Sequence, residues 1–124
     1  MDDPGDKMRT LVVLRRTPYG SSLAKASIDV AFASAAFEQP VDLLFLGDGV
    51  LQLYPNQDGH ALGIKALGRQ LAALPLYGIS RVYVDSESVA RYRLDLSRAP
   101  VDSIALDADG VRQLMQQYDH LLGF

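Results

Sequence analysis

The run Val41 to Leu46 most constrains what this chain can fold into, because its six residues VDLLFL leave only Asp42 polar. A near-continuous apolar run without alternation suits a strand covered on both faces, as in a parallel sheet. The run ends at Gly47, Asp48 and Gly49 and restarts as the short amphipathic segment VLQLYPNQ. This reads as buried strand, tight loop and helix, with the glycines permitting a sharp turn and Asp48 placed to cap the helix. Open α/β sheets place their sites in loops at the carboxyl ends of strands, so a functional surface is expected here.

A second continuous run, Leu11 to Leu14, predicts another buried strand, followed by a loop punctuated by Pro18 and Gly20. Ser21 or Ser22 is placed to cap a helix in which Ala24, Ile28, Ala31, Phe32 and Ala35 recur at helical spacing until Pro40. Beyond the glycine turn, Ile64, Leu67, Leu71 and Leu74 form one helical stripe, which Pro75 and Gly78 end. Arg81 to Asp85 predicts a third strand, with Ser86 capping a brief helix through Tyr92. Ser103 to Leu106 suggests a fourth strand; Val111, Leu114, Met115 and Tyr118 form a further helical stripe. His120 to Phe124 closes the chain as a terminal strand. The expected fold is a single three-layer α/β/α domain whose mostly parallel sheet has about five strands, with Leu11 to Leu14 and Val41 to Leu46 both central. It is expected to span residues 8–124, after a disordered leader or expression remnant over residues 1–7.

Length and composition narrow the function. A chain of 124 residues with 48% apolar content supports one core. Its formal net charge of -3 disfavours direct nucleic-acid binding. The absence of cysteine removes disulfides, thiolate catalysis and Cys-ligated metals from this chain. No apolar run approaches the roughly 20 residues that span a bilayer, and the acidic start MDDPGDK is unlike a signal peptide, so a cytoplasmic protein without a membrane partner is expected.

No dinucleotide, phosphate-loop or nucleophile-elbow motif is present, and no catalytic residue, cofactor or metal site is expected. His60 and His120 are read as surface or partner residues, since neither has a positioned acid-base partner in sequence. Asp48 and Asp85 both follow apolar strands and would share one sheet edge. They are either helix caps or a carboxylate pair for a cation or a proton. Arg15 and Arg16, at the same edge, either hold an anion or pair with these acids. Leu51, Leu53, Tyr54, Leu76 and Tyr77 lie in or beside loops, where they either mark a protein interface or fold back onto the core.

The stretch FLGDGVLQLYPNQ, the Pro18 and Gly20 loop, the turn Leu76, Tyr77, Gly78, Ile79, and the ending Tyr118, Asp119 to Phe124 together resemble the TusC/DsrF branch of the DsrE family of small α/β sulfur-relay proteins. The resemblance covers nearly the whole chain from Met8. It implies a non-catalytic subunit of a cytoplasmic heterohexamer with TusB-like and TusD-like partners, two copies of each. That complex receives persulfide sulfur from TusA and passes it towards TusE and wobble-uridine 2-thiolation of tRNA. The family's sulfur carrier is a cysteine of the TusD/DsrE subunit, and Asp85 aligns near its position. An aspartate cannot hold a persulfide, because transfer needs a thiolate to accept the sulfane atom. The resemblance therefore implies a scaffold role, with Asp48, Gly49, Leu51, Tyr54, Leu76, Tyr77 and Asp85 as candidate interface or loop positions. The alternatives are a subunit of a DsrEFH-type complex in sulfur oxidation, or a small stand-alone anion-binding module or enzyme using Asp48 and Asp85.

Overall fold

The computed structural model describes residues 9–15, 29, 33, 40–53, 71–79 and 81–123. The expected leader over residues 1–7 and most of the two helical stripes before Leu71 lie outside them. Five parallel strands form one sheet: β1 (Thr10–Leu14), β2 (Val41–Phe45), β3 (Val82–Asp85), β4 (Ile104–Leu106) and β5 (His120–Gly123), in the order β4-β3-β2-β1-β5. The two apolar runs thus occupy interior positions, as their unbroken character requires. Within β1 and β2 every residue but Asp42 is buried.

Alternation along these strands divides the core in two. Val12, Leu14, Leu43, Phe45, Val82 and Val84 point to one face and pack with Val50, Leu53, Leu71 and Leu74. Leu11, Val13 and Leu44 point to the other, against Val111, Leu114 and Tyr118. Helix α1 (Ser86–Arg91) lies on the first face through Val89, and helix α2 (Ala108–Met115) covers the second. This split follows from the strand order: the chain steps outward from β1 to β4, then returns across the sheet to β5, and right-handed crossovers place that return on the opposite face.

Two turns of one kind feed the first face. The 3₁₀ segment Leu74–Tyr77 closes with Ile79 N donating to Leu74 O and Gly78 N to Pro75 O, both at 3.1 Å, with Gly78 at φ 82. Helix α1 closes with Leu94 N donating to Val89 O at 3.0 Å and Arg93 N to Ala90 O at 3.2 Å, with Arg93 at φ 51. Each is a Schellman closure that returns a buried apolar residue, Ile79 or Leu94, to the core. The first was legible in Pro75 and Gly78. The second sits where the sequence pattern is weak, because Arg93 occupies the left-handed position that glycine usually signals.

The glycines after β2 serve two different needs. Gly47 adopts φ 52, in the left-handed region. Gly49 is required for space: a Cβ there would lie 1.9 Å from the carbonyl oxygen of Leu14. Leu46 N donates to that same oxygen at 2.9 Å, and Gly49 N donates to Leu46 O at 2.8 Å. The expected loop and following helix are one element, a 3₁₀ helix over Gly47–Leu53 that starts directly from the strand end. It can do so because Gly49 lets the backbone rest on the end of β1.

At the amino end of the sheet, Asp42 is explained by a polar cluster. Tyr118 donates its hydroxyl to Asp42, whose side chain is 14% exposed, and Arg9 lies 3.7 Å from the same carboxylate oxygen. The Arg9 guanidinium also stands 4.7 Å over the Tyr118 ring. Arg9 N donates to Asp119 at 2.8 Å, while Asp119 N and His120 N donate to Arg9 O at 3.0 and 3.1 Å. These bonds join the end of the α2 segment to the start of β1.

Two outcomes follow from this packing. Gly49→Ala is expected to destabilise the fold by about 3 kcal/mol in urea unfolding, since the added methyl meets backbone that can move only by displacing β1. Burial, then the hydrogen bond to Asp42, raises the Tyr118 hydroxyl above its ordinary value. A raised folded-state value means the unfolded chain loses this proton first. The associated stability is therefore present below pH about 10 and is lost as pH rises through the folded value. Tyr118→Phe is expected to flatten that alkaline loss in a series of melting temperatures. An unchanged alkaline slope would refute this account.

Candidate functional site

The carboxyl ends of β2 and β3 lie side by side, which brings the Gly47–Leu53 segment next to α1. Asp85 ends β3 and is the N-cap of α1. Its carboxylate accepts from Glu87 N at 3.2 Å and from Ser88 Oγ at 2.7 Å. Of the two expected caps, Asp85 takes the position and Ser86 is the first helical residue, because the strand runs straight into the helix and leaves Asp85 in extended geometry (φ -74, ψ 115). Glu87 and Arg91 pair along the exposed side of α1 at 3.8 Å.

Asp48 has a different partner from the one its sequence position suggests. Rather than heading the next helix, it lies within the 3₁₀ segment, and its carboxylate accepts the hydroxyl of Tyr92, the C-cap residue of α1. That hydrogen bond is the main cause of an upward shift of the Tyr92 hydroxyl from its ordinary value. Helix α1 is thus held at its start by Asp85 and at its end by Asp48. The Asp48–Tyr92 contact joins residues 44 apart, so no local sequence signal marks it.

Beyond α1, Asp95 caps the short 3₁₀ turn Leu96–Arg98, accepting from Ser97 N at 3.0 Å and from Ser97 Oγ at 2.6 Å. The Ser97 hydroxyl and backbone amide hold the Asp95 carboxyl below its ordinary value. Asp107 caps α2 through Gly110 N at 2.7 Å. Each of these four carboxylates therefore has a structural hydrogen-bond partner. Among the described residues no three His, Asp or Glu side chains gather as a metal cluster would.

Arg15 directly follows β1 at this edge, exposed, and its guanidinium leans over Gly123 of β5, where a Cβ would meet Nη2 at 2.6 Å. Arg16, Tyr54 and His60 lie outside the described residues, as does the side chain of Tyr77. His120 begins β5 and is exposed. Among the apolar candidates, Leu53 is a core residue with no exposure and Leu51 is half-buried, whereas Leu76 is 86% exposed. Leu53 takes the second of its two expected readings and folds back onto the core, because the 3₁₀ segment turns it onto the first face of the sheet, beside Val50. Leu76 stands at the Schellman turn next to an open groove of about 270 Å³ lined by Ala72, Pro75, Ala99, Pro100, Val101 and Asp102. What the carboxyl edge presents, then, is a firmly held helix and engaged carboxylates, while the projecting Leu76 stands at the other end of the sheet, on the turn that leads into β3.

Comparison with known proteins places this arrangement. Over 112 residues the chain is 36% identical to a "Protein TusC homolog" of Pseudomonas aeruginosa, covering 90% of this chain and 94% of that one. It is 32% identical to a "Protein TusC homolog" of Vibrio parahaemolyticus over the same length, covering 90% and 95%. The "Intracellular sulfur oxidation protein DsrF" of Allochromatium vinosum is 40% identical over 75 residues, covering 60% of this chain and 55% of that one. The crystal structure of the YchN protein from E. coli shares the fold, with a TM-score of 0.77 at 18% identity over 94% of this chain and 99% of that one. Residues 8–124 match the DsrE/DsrF-like family, and the chain is a member of that family, in its TusC and DsrF sulfur-relay branch.

Proposed function

We propose that this chain is a non-catalytic structural subunit of a TusBCD-type heterohexameric complex in the cytoplasm, which passes persulfide sulfur towards 2-thiolation of the tRNA wobble uridine. The observation that carries the reading is a chain matching TusC homologues along 90% of its length while containing no cysteine. Sulfur relay proceeds by attack of a thiolate on the sulfane sulfur of a persulfide, with the donor leaving as a thiolate. This chain has no sulfur nucleophile for that exchange, since a methionine thioether has no proton to lose. Its part is to hold and position TusB-like and TusD-like neighbours, with TusA and TusE as indirect partners. The negative net charge and the absence of any membrane-length apolar helix among the described residues fit a role without direct contact to tRNA or membrane.

The match to DsrF favours a second reading, a subunit of a DsrEFH-type complex in sulfur oxidation. The longer matches to TusC homologues support the first. A stand-alone module built on Asp48 and Asp85 draws less support, because both carboxylates have partners within the fold.

Loading the reconstituted complex with labelled sulfur from a desulfurase and TusA, then mapping the label by mass spectrometry, is expected to find covalent label on the TusD-like subunit and none on this chain. Label on this chain, or relay activity by it alone, overturns the reading. Leu76 supplies the docking prediction, since a leucine 86% exposed on a permanent subunit is best explained by a covering neighbour. Leu76→Glu is expected to reduce copurification of TusB-like and TusD-like chains at least tenfold, the effect of roughly 1.4 kcal/mol, with an unchanged circular dichroism spectrum. Full copurification by a folded Leu76→Glu chain removes Leu76 from the interface.

A further inference from the structure

Among the described residues, three adopt positive φ: Gly47, Gly78 and Arg93. Only Arg93 carries a side chain, and L-residues with side chains are strained in that region. The fold supplies its own comparison, because Gly78 and Arg93 fill the same position in two Schellman closures, at φ 82 and φ 51. What the second turn needs is a left-handed residue that returns Leu94 to the core, and a glycine would meet that need without strain. Nothing in the turn itself asks for an arginine.

The side chain is not used inside the fold either. Arg9, Arg91 and Arg112 pair with Asp42, Glu87 and Asp109. Arg93 is exposed, and among the described residues no carboxylate pairs with it. Its backbone, by contrast, is held on both sides: Tyr92 bonds Asp48, and Leu94 is 7% exposed in the core. A fixed backbone carrying an unpaired guanidinium is a charge preorganised for a partner. Strain kept at one residue, where a strain-free residue would serve the turn, points to a use outside the turn.

We propose that Arg93 is a contact residue of a protein interface, where its guanidinium takes a carboxylate of a neighbouring subunit in a bidentate ion pair. The inference rests on the reading of this chain as a subunit of a complex, and adds to it one residue and the chemistry that residue meets. A carboxylate suits the place better than a phosphate backbone does. Glu87 on α1, Asp48 at the end of α1 and Asp95 shortly past Arg93 would repel a polyanion, whereas one carboxylate needs only the one cation.

The experiment compares Arg93→Gly, Arg93→Ala and Arg93→Lys in the full chain, by melting temperature of the isolated chain and by affinity for the TusB-like and TusD-like chains. Arg93→Gly is expected to raise the melting temperature by about 3 °C while weakening binding by about tenfold, a gain and a loss from one change. Arg93→Ala keeps the left-handed strain, so it is expected to weaken binding equally without the thermal gain. Arg93→Lys keeps the charge without the two-pronged fork and is expected to recover part of the affinity. A melting temperature of Arg93→Gly at or below that of the wild type shows that no strain is held at this residue and overturns the proposal. Unchanged affinity of the glycine and alanine variants for partners that the wild type binds also overturns it, and leaves the subunit reading standing. A wild-type chain that binds neither partner overturns that reading and the proposal with it. If Arg93→Ala loses binding to tRNA while its affinity for the partner chains is unchanged, the guanidinium serves a phosphate and the proposal fails.

Discussion

The point where Gly49 rests on the carbonyl of Leu14 governs the arrangement of the site. Because no side chain intervenes, the chain leaving β2 turns into a 3₁₀ helix at once, and Leu46 can bond the same carbonyl. The compact path buries Val50 and Leu53 on the first face and leaves Asp48 within reach of Tyr92. From there the consequences pass to α1, which is fixed at both ends by carboxylates from two neighbouring strand ends. A longer loop after β2 would leave Asp48 without that geometry, and α1 would depend on Asp85 alone.

Much of this was legible in the sequence, for identifiable reasons. Leu11 to Leu14 and Val41 to Leu46 announced interior parallel strands because only a strand covered on both faces tolerates such a run. The third and fourth strands followed from composition and period, each beginning one residue later than expected, and the terminal strand and the stripe of α2 were also legible, although Tyr118 of that stripe lies three residues beyond the helix. The functional details were less accessible. Capping by Asp85 rather than Ser86 depends on which residue keeps extended geometry at a strand-to-helix junction with no intervening loop. The partners of Asp42 and Asp48, Tyr118 and Tyr92, are remote in sequence, and a left-handed Arg93 carries none of the compositional mark of a glycine. Leu53 and Leu76 looked alike in sequence, yet one is core and the other surface, because a 3₁₀ turn does not present residues with the helical period that an apolar stripe reveals.

The lack of cysteine and the placement of the carboxylates point the same way. In a relay, the reacting subunit must keep a thiolate exposed and mobile enough to meet two partners in turn. Here the strand-to-helix junction after β3 holds an aspartate turned inward on its own helix, bonded to Glu87 and Ser88. Such a junction stiffens a surface rather than activating it. Stiffness suits the scaffold role proposed above.

The register between Thr10 and His120 has a bearing on how the chain is made. As the polypeptide emerges during synthesis, β2 can pair with β1, β3 with β2 and β4 with β3, each soon after it appears. The outer edge of β1 must wait longer, since its partner β5 follows the other four described strands in the chain. For that interval the nascent protein shows an unpaired edge flanked by Leu11 to Leu14, an apolar run of the kind that recruits other strands. The docking of β5 thus sets how long newly made molecules remain open to clumping. Trigger-factor-type holdases that shield apolar segments would matter most in that window.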